Sequence, residues 1–182
     1  KFLCILISIF VYSGVISAST DATGLEVLDL EVTAQQFIEE GDYPAAISTY
    51  QQIIEDSADT SKAMQAQAGI AIACLKAHKT SDADVAVQKL ITDYSGESDL
   101  ANSVRRISTA YLSAEQPAQA KQLCQMAIMK WPDKDAVLIR RNLAVAHVQL
   151  GEFTEAEAVT AKLLGDYPED KELPKGIRKI AG

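Results

Sequence analysis

Two arginine pairs, Arg105-Arg106 and Arg140-Arg141, are the side chains best suited to recognise another molecule. Each pair lies in a stretch whose apolar residues recur with a helical period, and each is accompanied by an asparagine, Asn102 or Asn142. An arginine guanidinium presents a planar fork of N–H donors that matches a carboxylate. The pattern predicts a cationic cluster on two helices. The alternative is a solvated face on which these arginines pair with nearby Asp and Glu, each pair contributing about 0–1 kcal/mol.

The remaining reactive side chains give weaker signals. Cys74 and His78 lie four residues apart, a spacing that metal sites use on one helix face, but no second Cys/His pair accompanies them. His147 is expected to pack in a helix interface. Cys74 and Cys124 fall at apolar helix positions, so we expect buried free thiols, with a disulfide as the alternative.

Motifs for catalysis are missing from the sequence. It contains no Gly-rich phosphate loop, no nucleophile-elbow pattern and no His-Glu-x-x-His helix. We therefore predict no enzymatic activity, no metal site and no cofactor. The formal net charge of -8 also disfavours nucleic-acid binding, because phosphate neutralisation needs a basic face.

The start of the chain differs in composition from the rest. Residues 2–16 are almost wholly apolar, Lys1 precedes them, and small residues follow at positions 17–19. This pattern predicts a secretory signal peptide over residues 1–18 and a protein that is periplasmic or secreted. The apolar run is shorter than the roughly 20 residues that span a bilayer, so no membrane insertion is expected after cleavage. A retained N-terminal anchor is the alternative.

Alanines at a fixed interval mark the rest of the chain. Ala46, Ala83, Ala120 and Ala156 follow one another at intervals of 37, 37 and 36 residues, each near the start of a helical stretch. A period of this size is typical of stacked helical hairpins. After a flexible lead over 19–25, the pattern predicts four pairs of helices. They are 26–40 with 43–56, 62–77 with 82–94, 98–113 with 117–130, and 136–150 with 154–165.

Short motifs at the turns and repeat ends point to a family. The sequences Gly41-Asp42-Tyr43-x-x-Ala46 and Gly151-Glu152-Phe153-x-x-Ala156 resemble the hairpin turns of tetratricopeptide repeats, although His78 and Glu115 replace the turn glycine in the middle repeats. The endings at 130–132 and 166–168 resemble that family's repeat boundary. The resemblance implies an all-α, right-handed superhelical stack of four hairpins at 26–58, 61–95, 98–132 and 136–168, followed by a capping helix over 169–182.

The resemblance also implies a function. In this family the first helix of each hairpin lines a concave groove that binds extended peptides or helices. The repeat ending is similar to that of bacterial envelope proteins, which implies an exported, non-enzymatic scaffold that binds a protein or peptide segment and supports assembly of an envelope complex. The groove residues expected from the register are Lys76, Asn102, Arg105, Arg106, Arg141, Asn142 and Gln149.

Charge is distributed unevenly along the predicted groove. The first helix of the first repeat is acidic, with Glu31 and Glu39 among its residues, whereas the later first helices carry the arginines. A groove of this kind would fix the direction of a bound peptide. The alternative function is a self-associating structural repeat protein with no specific groove ligand, and the sequence leaves homo-oligomerisation open.

Overall fold

The computed structural model describes residues 22–133 and 136–167, with side chains described from residue 30 onward in these ranges. These ranges contain eight α-helices and no strand, which confirms the predicted all-α fold. The helices are α1 (Ala22–Glu40), α2 (Tyr43–Asp56), α3 (Thr60–Lys76), α4 (Thr80–Asp93), α5 (Leu100–Ser113), α6 (Pro117–Lys130), α7 (Ala136–Gln149) and α8 (Phe153–Asp166). They form four hairpins, each with a first helix (α1, α3, α5, α7) and a second helix (α2, α4, α6, α8).

The helix bounds follow the sequence pattern closely. The predicted ends agree with the structure to within two residues, except that α1 begins at Ala22 rather than at residue 26. Residues 22–25, predicted as part of a flexible lead, are therefore helical; they contain no proline to interrupt the backbone hydrogen bonds. The predicted signal peptide (1–18) and capping helix (169–182) lie outside the described residues.

The turns within the four hairpins share one geometry. Each contains a residue with a left-handed backbone: Gly41 (φ 82°), His78 (φ 57°), Glu115 (φ 57°) and Gly151 (φ 75°). In every turn the N–H of the next residue donates to the carbonyl five residues earlier, at 2.8–2.9 Å. This is the Schellman arrangement that ends many helices. The middle hairpins therefore form the same turn without a glycine.

Small residues lie where the helices touch. Ala46, Ala83 and Ala120 have no exposed surface, and Ala156 is 4% exposed. A second set of small residues is fully buried on the first helices: Ala34, Ala71, Ser108 and Ala144. Both sets recur once per hairpin, so the burial confirms that the alanine period reflects repeated helix contacts.

The hairpins do not pack on one another uniformly. Helix α2 packs closely against α3, and α6 against α7, but the backbones of α4 and α5 rarely approach each other closely. A hydrogen bond links these two helices, donated by the Tyr111 hydroxyl to the Asp84 carboxylate. Within the described residues, no helix is both long and apolar enough to cross a membrane.

Candidate functional site

A cleft of about 530 Å³ opens between two neighbouring first helices, α3 and α5. Four basic side chains line it: Lys76 and His78 at the end of α3, and Arg105 and Arg106 on α5. Ile72 is among the apolar residues that line the same cleft, and no acidic side chain does so within the described residues. The cleft can therefore bind an anionic group and an apolar group together. We call it the basic cleft.

Arg105 is held in place by its neighbours on α5. It is half-buried, and its Nη2 donates to Asn102 Oδ1 at 2.5 Å. The Nδ2 of Asn102 lies 3.4 Å from Asp99 Oδ2, at the start of the helix. Asn102 therefore orients the arginine and is not among the residues that line the basic cleft. Arg106 and Lys76 are exposed and available to a partner.

Two opposite charges act on a tyrosine of the first hairpin. The hydroxyl of Tyr50 on α2 experiences both the positive charge of Arg106 and the negative charge of Glu31 on α1. Burial raises the pKa of Tyr50, Arg106 acts against that increase, and Glu31 adds to it. Charges on α1 and α5 therefore act on the same hydroxyl, and the polarised groove expected from the sequence stays a prediction.

Asn142 has a structural position, which corrects the expectation that it faces a groove. It has no exposed surface. Its Nδ2 donates to Ser108 Oγ and Thr109 Oγ1, both at 2.8 Å, and to the Arg105 carbonyl at 3.3 Å. A buried amide needs such partners, and here they tie α7 to α5. The periodicity of a helix could not separate Asn142 from the exposed residues beside it.

The second arginine pair lies apart from the basic cleft. Arg141 is half-buried and donates to Asn142 Oδ1 from Nε and Nη2, at 3.3 and 3.0 Å. Arg140 donates to the Tyr167 hydroxyl at 2.8 Å and lies 5.5 Å from the centre of that ring. Gln149 is exposed near the end of α7. Of the predicted groove residues, only Lys76, Arg105 and Arg106 line the basic cleft.

His78 lines the basic cleft but was not among the predicted groove residues. It is exposed, and its left-handed backbone is one that a residue with a Cβ adopts at a cost of about 1–2 kcal/mol. Strained backbone positions cluster at functional sites. The sequence could have indicated this residue, because His78 occupies the turn position that holds a glycine in the first and fourth repeats.

A separate charged cluster joins the last two hairpins. Lys121 Nζ on α6 donates to Glu152 Oε1 and Oε2 at 2.7 and 3.0 Å, and His147 Nδ1 lies 2.6 Å from Glu152 Oε2. The hydrogen bond from Lys121, and to a smaller extent the one with His147, hold the pKa of Glu152 below its ordinary value. His147 is buried in this interface, as predicted from the sequence.

Both cysteines of the described residues are buried free thiols, as predicted. Burial raises the pKa of Cys124 to about 12, although a hydrogen bond with Ser108 opposes that change. Within the described ranges, no group of three or more His, Cys, Asp or Glu side chains is arranged to hold a metal ion.

Comparisons with known proteins agree with this geometry. A sequence model of the tetratricopeptide repeat family matches residues 111–178. No curated protein matches the chain significantly by sequence. Among solved structures, the chain is similar to nearly identical TPR-like repeats of a kinesin light chain from Podosopora anserina, with a TM-score of 0.64 and 12% sequence identity. The similarity covers 90% of this chain and 86% of the other, and it shows a shared fold.

The helices and their shared turns define an α-solenoid, a stack of helical hairpins. Residues 111–178 match the tetratricopeptide repeat family, and the chain shares the fold of TPR-like repeats. Repeats of this family generally mediate binding to protein partners, and the proteins that contain them are generally scaffolds rather than enzymes.

Proposed function

We propose that this chain is a non-enzymatic scaffold that binds an acidic segment of a partner protein in the basic cleft. The observation that carries the proposal is the convergence of Lys76, His78, Arg105 and Arg106 on one cleft between adjacent first helices. Guanidinium and ammonium groups form charge-assisted hydrogen bonds with carboxylates, which are about twice as strong as neutral ones. Apolar residues in the same cleft, including Ile72, favour a segment that also carries an aliphatic side chain.

The charge on the first hairpin supports a fixed direction of binding. Glu31 on α1 and Arg106 on α5 both act on the Tyr50 hydroxyl. A segment that extends from the basic cleft towards α1 would therefore meet negative charge at its far end. A segment whose acidic residues lie towards α5 is favoured over the reversed orientation, because like charges that face each other weaken binding.

Binding of a labelled peptide tests the proposal. Fluorescence anisotropy compares a peptide rich in Glu and Leu with the same peptide carrying Gln in place of Glu. The variant Lys76→Glu/Arg106→Glu changes two exposed residues, so the fold should be retained. We expect this variant to weaken binding of the acidic peptide by at least roughly tenfold, equivalent to about 1.4 kcal/mol.

A matched control separates the cleft from overall charge. Lys79 and Lys89 are exposed and border a different cleft, between α2 and α4. Lys79→Glu/Lys89→Glu changes the net charge by the same amount and should change the affinity by less than about twofold if binding is local. Equal losses in the two variants, equal affinity for the Gln peptide, or no binding by the unchanged protein would each contradict the proposal.

Self-association is a second candidate function, favoured by exposed apolar side chains on α8. Phe153 is 64% exposed and Leu164 is 45% exposed. Such side chains can join neighbouring copies of a repeat stack. Sedimentation velocity over a range of concentrations should then show a dimer that Phe153→Ser/Leu164→Ser converts to a monomer. A monomer at every concentration would exclude this function.

We further propose that the protein is exported and supports assembly of a cell-envelope complex, in the periplasm or as a secreted protein. The support is the sequence of residues 1–18, with a basic residue, an apolar run and small residues in order. Expression of the full chain in a bacterial host, followed by fractionation and N-terminal sequencing, should recover a periplasmic protein that begins at Ser19. Recovery with residues 1–18 in the membrane fraction would indicate an anchor, and a cytoplasmic product would contradict export.

A further inference from the structure

A second cleft, of about 400 Å³, lies between α4 and α6, which are the second helices of the two middle hairpins. Its volume falls in the range of about 300–1,000 Å³ that is usual for ligand pockets. The backbones of α4 and α5 rarely approach each other closely beside it, and Tyr111 of α5 reaches across to Asp84 of α4. We call it the acidic cleft.

The charge in the acidic cleft comes from one half-buried carboxylate. The Tyr111 hydroxyl donates a hydrogen bond to Asp84 Oδ1, and the tyrosine itself is 2% exposed. Burial, and next the hydrogen bond to Asp84, raise the pKa of Tyr111, so the hydroxyl keeps its proton at neutral pH and fixes the carboxylate. Within the described residues, Asp84 forms no ion pair and no basic side chain lines this cleft.

Amides and apolar groups complete the lining. Gln88 on α4 and Gln119 and Gln122 on α6 contribute side-chain amides, whose carbonyls can accept hydrogen bonds and whose NH2 groups can donate them. Leu123 and Met126 on α6 contribute apolar surface beside them. A ligand that fits has a cationic head with several N–H donors and an aliphatic stem.

An arginine side chain has both parts. Its guanidinium presents five donors in a planar fork, enough for a carboxylate and neighbouring amide carbonyls together. Its aliphatic stem packs on apolar surface while the charged head reaches a polar group. A lysine ammonium carries three donors and satisfies fewer of the surrounding acceptors.

We propose that the acidic cleft binds an arginine side chain of a partner protein, with the guanidinium on Asp84 and the aliphatic stem on Leu123 and Met126. This site is separate from the basic cleft, since it lies on second helices and selects the opposite charge. A partner that carries acidic and basic segments would be recognised on both.

Nuclear magnetic resonance of the isotope-labelled protein tests the proposal. The probe is the capped tripeptide acetyl-Leu-Arg-Leu-amide, and its counterpart contains citrulline, which is neutral and nearly identical in shape. The readouts are the methyl resonance of Met126 and the ring resonances of Tyr111. We expect the arginine peptide to bind at least roughly tenfold more tightly than the citrulline peptide, because a charge-assisted pair is lost in the latter.

Matched variants locate the binding. Asp84→Asn removes the charge but keeps an oxygen acceptor for the Tyr111 hydroxyl, so the fold should be retained; we expect at least roughly a tenfold loss of affinity. Asp93→Asn removes the same charge from an exposed position of α4 that does not line the acidic cleft, and it should leave binding unchanged. Gln122→Lys is a second variant, in which the new ammonium competes for Asp84 and blocks the peptide.

The outcomes are decisive. Selective loss in Asp84→Asn and Gln122→Lys, with Asp93→Asn unchanged, supports the proposal. Equal binding of the citrulline peptide, equal losses in both Asp variants, or no shift of either probe resonance would overturn it. Lys76→Glu/Arg106→Glu should bind the arginine peptide normally, so failure of the proposed function at the basic cleft can be told apart from failure here.

Discussion

The ring of Tyr50 on α2 lies directly against Gly69 on α3, so close that a Cβ at Gly69 would be 2.5 Å from Cζ of the ring. Both residues are buried, and the contact joins the first hairpin to the second. Gly69 lies within the regular helix α3, so its backbone conformation does not require glycine. The close approach of the Tyr50 ring is what requires it. The stacking of these hairpins therefore depends on the absence of one methyl group.

Gly69→Ala should lower the free energy of unfolding by about 1–3 kcal/mol, because overpacking forces the ring or the helix to move. Urea denaturation followed by circular dichroism measures the change. Gly165→Ala is the matched control, since Gly165 lies in α8 with nothing within 4 Å of the added Cβ. Helix propensity alone should make that variant more stable by up to about 1 kcal/mol. Stabilisation of both variants would show that Tyr50 does not pack as described.

Glu115→Gly should raise the free energy of unfolding by about 0.5–1 kcal/mol. The left-handed backbone of Glu115 carries a steric cost of about 1–2 kcal/mol that glycine lacks, offset in part by the entropy that glycine loses on folding. Thermal melts provide the measurement. Gly151→Ala introduces the same strain into the fourth hairpin and should lower the melting temperature. The prediction fails if Glu115→Gly is destabilising.

Asn142→Leu should lower the free energy of unfolding by about 1–3 kcal/mol. The substitution leaves the buried Ser108 hydroxyl without the amide that donates to it, and it removes the other α7–α5 hydrogen bonds of the side chain. Chemical denaturation measures the loss. Gln149→Leu, at an exposed position of the same helix, should change stability by less than about 0.5 kcal/mol. Equal effects of the two changes would contradict the role given to Asn142.

Acid should weaken the contact between the last two hairpins through Glu152. Its folded-state pKa lies below its unfolded value, so the stabilisation is present above the ordinary pKa of 4.5 and is lost as the pH falls through the folded-state pKa. Melting temperatures should be measured from about pH 6 downward. We expect the unchanged protein to melt at a higher temperature than Glu152→Gln near pH 6, and the difference to vanish in acid. A constant difference across this range would exclude the ionised carboxylate as its cause.

The two buried thiols should resist alkylation in the folded protein. Only a thiolate reacts readily with alkylating agents. Burial raises the pKa of Cys124 to about 12. Burial also raises the pKa of Cys74, and the negative charge of Asp82 contributes a smaller increase. Peptide mapping after brief iodoacetamide treatment at neutral pH should find both thiols unmodified, and both modified in urea. Rapid modification of Cys124 in the native protein would contradict its burial.

Most of the fold could be predicted from the sequence because repeats present the same signals several times. The buried alanines and the helix bounds follow from local periodicity and from start and stop residues, which act within a few positions of each other. The start of α1 at Ala22 is not evident from the sequence, because residues 22–25 include Thr23 and Gly24, which also suit a flexible lead.

The candidate site could be predicted only in part. The register identified Lys76, Arg105 and Arg106, which meet in the basic cleft, but it treated Asn142 as exposed although the residue is buried between α5 and α7. The link between Tyr111 and Asp84 depends on how far α4 lies from α5. Such pairs are distant in sequence and are set by the tertiary arrangement of whole helices.

The turns with and without glycine have a consequence for how the stack comes apart. In a linear array, each hairpin gains stability from its neighbours; counting only the described residues, the middle hairpins have two neighbouring hairpins and the outermost ones have one. The relaxed glycine turns lie in the first and fourth hairpins, whereas the strained turns at His78 and Glu115 lie in the two middle ones. The two effects oppose each other and level the stability along the array, which favours concerted melting over fraying from one end.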